Sequence, residues 1–492
     1  MGNFRKDVIQ QLVVSRPSLV ISGFLLGVAI HSFWPLARLP FWTWSIIAGI
    51  LVFFCILIRR FAYRVTRFAI LFMVCLALGL WRFDVAVPPI AISRSGEFTA
   101  VVAEVEDGFY GKQAIIKTDD LSLQTPLKQD VPLGSKIKFT CSLKPLEQKK
   151  DELDRRFAYR LHQAQAQCTP KDLIVIAEPP WWDIRQSFAD LRVWTNRRIA
   201  TVLPGEDGML IAGMLYGERG MSQKSNDLFR RAGLTHLIAV SGSNITIVAS
   251  IVFAILLGFG LWRRQAFWMT TIILGAYVTF TGFSASVARA AVMGWLVLLA
   301  RHVGRRPLTW HILLVSAFVL CLIDPWMLAF DAGFALSFLA TIGLMIWSPI
   351  MAKKLSIVPA AGGLREAAAT TISATLMTTP YMAFAFERIS LAGLITNLIA
   401  VPLVPWAMLF GALSAVWGPL PGSNIISLPA LGVAKLIFWS ASLADYFPWL
   451  SQETPRLDFL LLVTSYALLT WIYFKLRGKN DFSTETELFC QR

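Results

Sequence analysis

Residues 233–248 read GLTHLIAVSGSNITIV, which places His236, Ser241, Ser243 and Asn244 at the head of a segment that stays apolar to Leu261. A run of that length can span a bilayer, yet hydrocarbon cannot solvate its first turns. Burying a hydroxyl or amide without a partner costs about 2–7 kcal/mol. The four side chains must therefore face other helices or water, and polar groups at such depth are functional candidates. Serine beside histidine suggests acyl transfer, in which the imidazole takes the serine proton next to an oxyanion hole. The spacing argues against it. His236 and Ser241 on one helix make a poor attack geometry, and Ala239 stands where an intramembrane serine protease would want glycine.

A second cluster is FSASVARAA at 283–291, where Arg289 falls inside an apolar run. A charge at that depth costs roughly 2.5–3.5 kcal/mol on insertion scales, so it must be paired or meet water. Two roles remain open: an ion pair, for example with Asp331, or a phosphate contact, which the planar five-donor guanidinium suits. The third cluster is Asp324-Pro325 followed by DAGFALSF from Asp331 to Phe338. Asp331 can cap the helix after it. Gly333 and Ser337 permit close helix approach or line a passage. The five histidines, at 31, 162, 236, 302 and 311, are scattered without metal-ligand spacing. No glycine-rich loop ends in Gly-Lys-Ser/Thr, so no ATP site is expected. Neither metal, cofactor nor bond chemistry is expected of this chain.

These clusters sit in a chain that is 55% hydrophobic, with 18 Trp and a mean hydropathy of +0.58. About 20 apolar residues cross a bilayer core, and many such stretches occur. The net charge of +15 is then explained first by basic cytoplasmic loops and not by a nucleic-acid surface. No cleavable leader is expected, because the first apolar run lacks a small-residue cleavage site and a second follows at once. The reading is a polytopic α-helical membrane protein of about twelve transmembrane helices, both termini cytoplasmic, with a small extracytoplasmic β-rich insert.

The front spans are 19–34, 41–58 and 68–81, inside a region 1–92. Residues 93–178 form the insert, with strands expected at 98–105, 113–118, 136–143 and 173–177 and a charged helix over 146–167. Short strands with one helix suit an OB-like barrel. The insert's charges roughly balance, so no basic stripe is expected. Residues 179–232 read as amphipathic connecting helices, 233–478 as the large bundle and 479–492 as a polar tail. Pro402 and Pro405 should break the span over 391–417. Cys141 and Cys168 are the two cysteines of the insert, and an outside location would permit a disulfide.

The order of the clusters resembles the ComEC-type competence proteins, inner-membrane channels for DNA uptake in natural transformation. The resemblance rests on AGLTHLIAVSGSNITIV at 232–248, SASVARAAVMG at 284–294 and DPWMLAFDAGFALSFLATIGL at 324–344. It implies N-terminal spans, an OB-like insert whose two cysteines may pair, and a channel for single-stranded DNA. Many members continue into a metallo-β-lactamase-like domain, and its His-x-His-x-Asp-His cluster is absent here. Any nuclease step is therefore expected from a separate nuclease, or the activity is missing here.

On this reading the strand passes inward through the plasma (inner) membrane, with His236, Ser241, Ser243, Asn244, Arg289, Asp331 and Ser337 lining or shaping the path. Expected partners are single-stranded DNA, membrane lipid, a periplasmic DNA receptor, and a cytoplasmic ATP-driven motor or single-strand-binding protein. The rivals are a secondary transporter of a small anionic solute, which should show pseudo-symmetric halves, and an envelope-assembly scaffold.

Overall fold

The structure is a computed structural model. It describes residues 16–33, 43, 49–50, 64–87, 95–108, 111–118, 121–126, 131–146, 162–180, 182–218, 220–238, 242–282, 285–304, 309–355, 364–418, 423–455 and 457–477. In chain order, helices α1 (Arg16–Ser32) and α2 (Arg64–Val85) come first. Seven strands follow: β1 (Ser95–Gly108), β2 (Gly111–Lys117), β3 (Ser122–Pro126), β4 (Lys136–Ser142), β5 (Lys144–Pro145), β6 (Ala166–Gln167) and β7 (Lys171–Ala177). Then come α3 (Ile184–Val202), α4 (Glu206–Tyr216), α5 (Gln223–Arg231), α6 (Thr235–Ile238), α7 (Gly242–Gly258), α8 (Arg263–Phe280), α9 (Ala285–His302) and α10 (Thr309–Ile323). The chain ends with α11 (Met327–Phe330), α12 (Ala332–Lys354), α13 (Leu364–Phe386), β8 (Arg388–Ser390), α14 (Gly393–Trp417), α15 (Ser423–Tyr446), β9 (Ser451–Glu453) and α16 (Phe459–Arg477). The expected spans 19–34, 68–81 and 391–417 fall on α1, α2 and α14, whereas most of 41–58 lies outside the described residues.

Four of these helices are long and apolar enough to cross a membrane: Ala332–Lys354, Gly393–Trp417, Ile425–Tyr446 and Phe459–Leu476. Shorter apolar helices cover Ser18–Ser32, Asn244–Gly258 and Trp310–Ile323. The chain divides into two compact units, Met1–Val193 with Ile245–Phe334, and Trp194–Asn244 with Ala335–Arg492.

In the first unit α1 and α2 pack so closely that a Cβ on Gly27 would stand 2.1 Å from the Leu76 carbonyl oxygen. At the far ends of the two helices His31 Nε2 lies 3.3 Å from Asp84 Oδ1, with both residues buried. The insert forms one sheet in the order β5-β6-β3-β2-β1-β4-β7. Strand β1 pairs antiparallel with both β2 and β4, and β7 pairs antiparallel with β4. Just upstream of β7, β6 runs parallel to β3. One stretch of chain thus links the two sides of the sheet. Alternate residues Val102, Ile116, Leu123, Ile137 and Phe139 are buried inside, as the two-residue strand period requires. The short β3 was not expected, because its five residues SLQTP carry little strand signal.

Cys141 on β4 and Cys168 just after β6 form a disulfide, with Cα atoms 6.0 Å apart. The Cys168 amide also donates to the Gln124 carbonyl on β3.

In the second unit, α4 is buried all round: Leu210, Ile211, Ala212, Met214 and Tyr216 are fully inaccessible. The stretch expected to be amphipathic over 208–216 is therefore a core helix, packed against α14 and α15. Helix α14 also departs from expectation, running unbroken through Pro402 and Pro405. The missing N–H groups cost hydrogen bonds, but burial of Ala400, Val404 and Ala407 holds the helix together.

Closing the loop between the two cysteines, 27 residues apart, should stabilise the insert by about 3–4 kcal/mol. The Cys141→Ala/Cys168→Ala protein should lose insert protease resistance first, with the helices still protected. Unchanged digestion of the insert would show that its sheet needs no such closure.

Candidate functional site

The motif at 233–248 begins where α5 ends. Gly233 takes a positive φ of 70°, and the Leu234 amide donates back to the Phe229 carbonyl at 2.8 Å. This is a left-handed helix stop with its hydrophobic contact, since Leu234 and Phe229 are both fully buried. The turn is fixed from α14 as well, where Thr396 Oγ1 donates to the Ala232 carbonyl at 2.7 Å. The chain then makes the single turn of α6 and crosses α4. A Cβ on Gly213 would lie 2.3 Å from the Ile238 carbonyl oxygen, so only glycine admits this crossing.

Asn244, 1% exposed, donates from Nδ2 to the Met214 carbonyl at 3.0 Å. Met214 lies in the last turn of α4, where carbonyls lack intrahelical donors. Asn244 therefore caps a core helix. His236 on α6 is exposed. Ser241 lies outside the described residues, as does the side chain of Ser243. At the other end of α4, burial pushes the Asp207 carboxyl above its ordinary value, with Lys435 opposing and Glu206 reinforcing the shift.

In the other unit, Arg289 and Asp331 are brought together. Arg289 Nη1 donates to Asp331 Oδ2 at 2.8 Å, and the guanidinium is nearly inaccessible, with a side-chain exposure of 5%. Asp331 Oδ1 accepts the Gly333 amide at 2.8 Å, capping α12. Gly333 makes room for both groups, since a Cβ there would meet Arg289 Nη2 at 3.0 Å and Asp331 Oδ1 at 3.1 Å. The D-A-G sequence is thus one device: carboxylate, cap and space for the arginine. Ser337 follows on α12, half-buried, its carbonyl accepting Thr341 Oγ1.

Two features escaped the sequence. Trp326 is fully buried, stacked at 4.7 Å on His162 of the insert and at 5.2 Å on Phe83 of α2. His162 also lies 3.2 Å from Asp324, so the Asp-Pro-Trp run docks the insert against the helices of its own unit. The second is a lysine face, contrary to the expectation of no basic stripe. Lys117, Val101 and Lys136 align across β2, β1 and β4; Lys138 pairs in register with Thr99, and Lys171 with Thr140. Their side chains point away from the core. Glu97 sits among them, 2.7 Å from Lys138. Counting charges along the insert hides this, because the alternation of strands sorts them to one side.

Helices of membrane-spanning length with a small sheet domain define a helical membrane protein. The profile of the family described as "Competence protein" matches residues 214–479, and the chain belongs to that family. It is 27% identical over 278 residues to "ComE operon protein 3" of Bacillus subtilis (strain 168), covering 55% of this chain and 35% of that protein. It is 26% identical over 280 residues to "Uncharacterized protein YcaI" of Escherichia coli (strain K12), covering 51% and 36% respectively. The matches thus span about a third of the length of each curated relative. No solved structure matches the chain.

Truncating one partner of the Arg289–Asp331 pair leaves a buried charge, so Arg289→Ala should destabilise the protein by about 3–5 kcal/mol. Arg289→Met with Asp331→Leu should recover much of that, whereas additive losses in thermal unfolding would show that the two do not act as a pair. Asn244→Ala removes only a helix cap, and its cost should be about 1–3 kcal/mol in the same assay.

Proposed function

We propose that this chain conducts single-stranded DNA inward across the plasma (inner) membrane during natural transformation, without bond chemistry of its own. Family membership supports a part in DNA uptake, and the lysine face of the insert is the observation that carries the choice of ligand. On this reading the insert is an OB-like barrel outside the membrane. The parallel pairing of β6 with β3 and the disulfide, favoured in an oxidising compartment, support both points. About twelve helices cross the membrane and both termini are cytoplasmic, as the distribution of basic loops requires.

The described residues of that face offer lysines and no exposed aromatic ring, so it grips the phosphate backbone and does not stack bases. His236, Ser241, Ser243, Asn244, Arg289, Asp331 and Ser337 line or shape the path beyond it. A strand entering a negative-inside cell meets about 2.3 kcal/mol per charge per 100 mV. With no ATP motif in the sequence, the pull comes from a cytoplasmic motor or strand-binding protein. A periplasmic receptor delivers the DNA.

The test uses the full chain in nanodiscs, with labelled oligothymidylate and the variant Lys117→Gln/Lys136→Gln/Lys138→Gln/Lys171→Gln. Each backbone contact to a single strand contributes about 0.7 to the logarithmic salt slope. The variant should therefore lose about 2–3 units of slope and reduce uptake of labelled DNA by intact cells. Unchanged slope and uptake would refute the face as the DNA site. Exchange of a small anion in vesicles, with no DNA bound, would favour the transporter.

A further inference from the structure

Between α12, α13 and α16, all in the second unit, lies a cavity of about 200 Å³ lined by Ile346, Trp347, Met377, Leu469, Tyr473 and Phe474. Two of its hydroxyls are already used: Tyr466 donates to the Met377 carbonyl at 2.9 Å, and Thr470 donates to the Tyr466 carbonyl at 2.8 Å. The wall therefore presents hydrocarbon and rings. The neighbouring surface of α16 is strongly apolar and uncovered, with Leu460 72%, Trp471 59% and Phe474 58% exposed. A cavity at such a perimeter opens to lipid.

Two of these helices, α12 and α16, also align their charged ends. Trp347 meets Tyr473 edge-on at 5.9 Å, and Gly343 packs against the Ser373 carbonyl. Met377 of α13 meets Gly343 on one side and Tyr466 on the other, so α12 and α16 both advance from that level to the Trp347–Tyr473 contact and run parallel. Lys353 and Lys354 close α12, Lys475 stands in the last turn of α16, and Arg365 opens α13 beside the single acid Glu366. Lys475 lies over the Trp471 ring at 5.1 Å. At 1.5 Å per residue Lys353 and Lys354 stand roughly 9–11 Å beyond Trp347 and Lys475 about 3 Å beyond Tyr473, whereas Arg365 is about 18 Å from Met377. Half a bilayer core is about 15 Å, so a chain in the cavity places its headgroup among the lysines.

We propose that this cavity is a binding site for an anionic phospholipid, with an acyl chain between α12, α13 and α16 and the phosphate on Lys353, Lys354 and Lys475. The occupant is lipid and not a second copy of the chain, because apolar wall and basic rim together match an amphiphilic anion.

The full chain is reconstituted in vesicles of phosphatidylcholine containing phosphatidylglycerol with a photoactivatable acyl chain, and crosslinked peptides are mapped. Crosslinks should fall on α12, α13 and α16, and unlabelled phosphatidylglycerol should compete better than phosphatidylcholine. Lys353→Gln/Lys354→Gln/Lys475→Gln changes surface groups only. At about fivefold per lysine near an anionic headgroup, it should weaken that preference by tenfold or more. Thr470→Trp should fill the cavity and abolish the crosslinks, with folding checked by circular dichroism. Retained headgroup preference in the lysine variant, or unchanged crosslinks in Thr470→Trp, would overturn the assignment. So would crosslinks spread evenly over all helices, or protein–protein dimers through α16.

Discussion

A helix that ends among apolar side chains leaves carbonyl oxygens that water cannot reach, and each one needs a donor from elsewhere in the chain. Helix α4 is the extreme case, because every side of it is covered and its last turn ends in the interior. Asn244 supplies the donor for Met214, and that one bond fixes the start of α7. The preceding turn is fixed by the same demand: Thr396 serves the Ala232 carbonyl, and Gly213 lets α6 cross at backbone distance. In the other unit Arg82 donates to the carbonyls of Leu322 and Ile323 that end α10, and Asp331 accepts the Gly333 amide in the first turn of α12. Several of the described polar residues thus serve to close helix ends.

That allocation decides what the motif residues can do. A nucleophile or general base must be able to turn toward a substrate, whereas Asp331 is engaged through both carboxylate oxygens and Asn244 through its amide nitrogen. Arg289 is held by the carboxylate it faces, in space that Gly333 leaves open. These are positioning groups. Exposed polar side chains lie elsewhere, on the outward face of β1, β2 and β4.

Much of this was readable from the sequence, and the gaps have physical causes. The long apolar helices were legible because 18 or more apolar residues have few alternatives, and the strands at 98–105 and 136–143 because alternation survives in a half-buried sheet. The Arg289–Asp331 partnership was legible because a charge at such depth has few solutions. Helix α4 was misread as amphipathic because Glu206 and Asp207 sit at its head, while the buried remainder is apolar on all sides. The prolines of α14 were misread because local propensity yields to packing against α4. The lysine face could not be read at all: Lys117, Lys136 and Lys171 are far apart in sequence, and only strand register brings them into neighbouring rows.

On the proposed reading, the same electrostatics sets how tightly a moving strand is held. Exposed lysines on the insert are screened within about a Debye length, near 8 Å in physiological salt. Contacts there can therefore break singly as the strand advances. A bare arginine in a dry interior would act differently, since a guanidinium pairs with phosphate through two parallel bonds and loses little to hydration. Such a contact would halt a polyanion that already climbs the membrane potential. Pairing Arg289 with Asp331 at 2.8 Å removes that net charge while keeping polar groups at depth. A conduit for phosphates then needs its positive charge outside, where salt weakens it, and near-neutral polarity within.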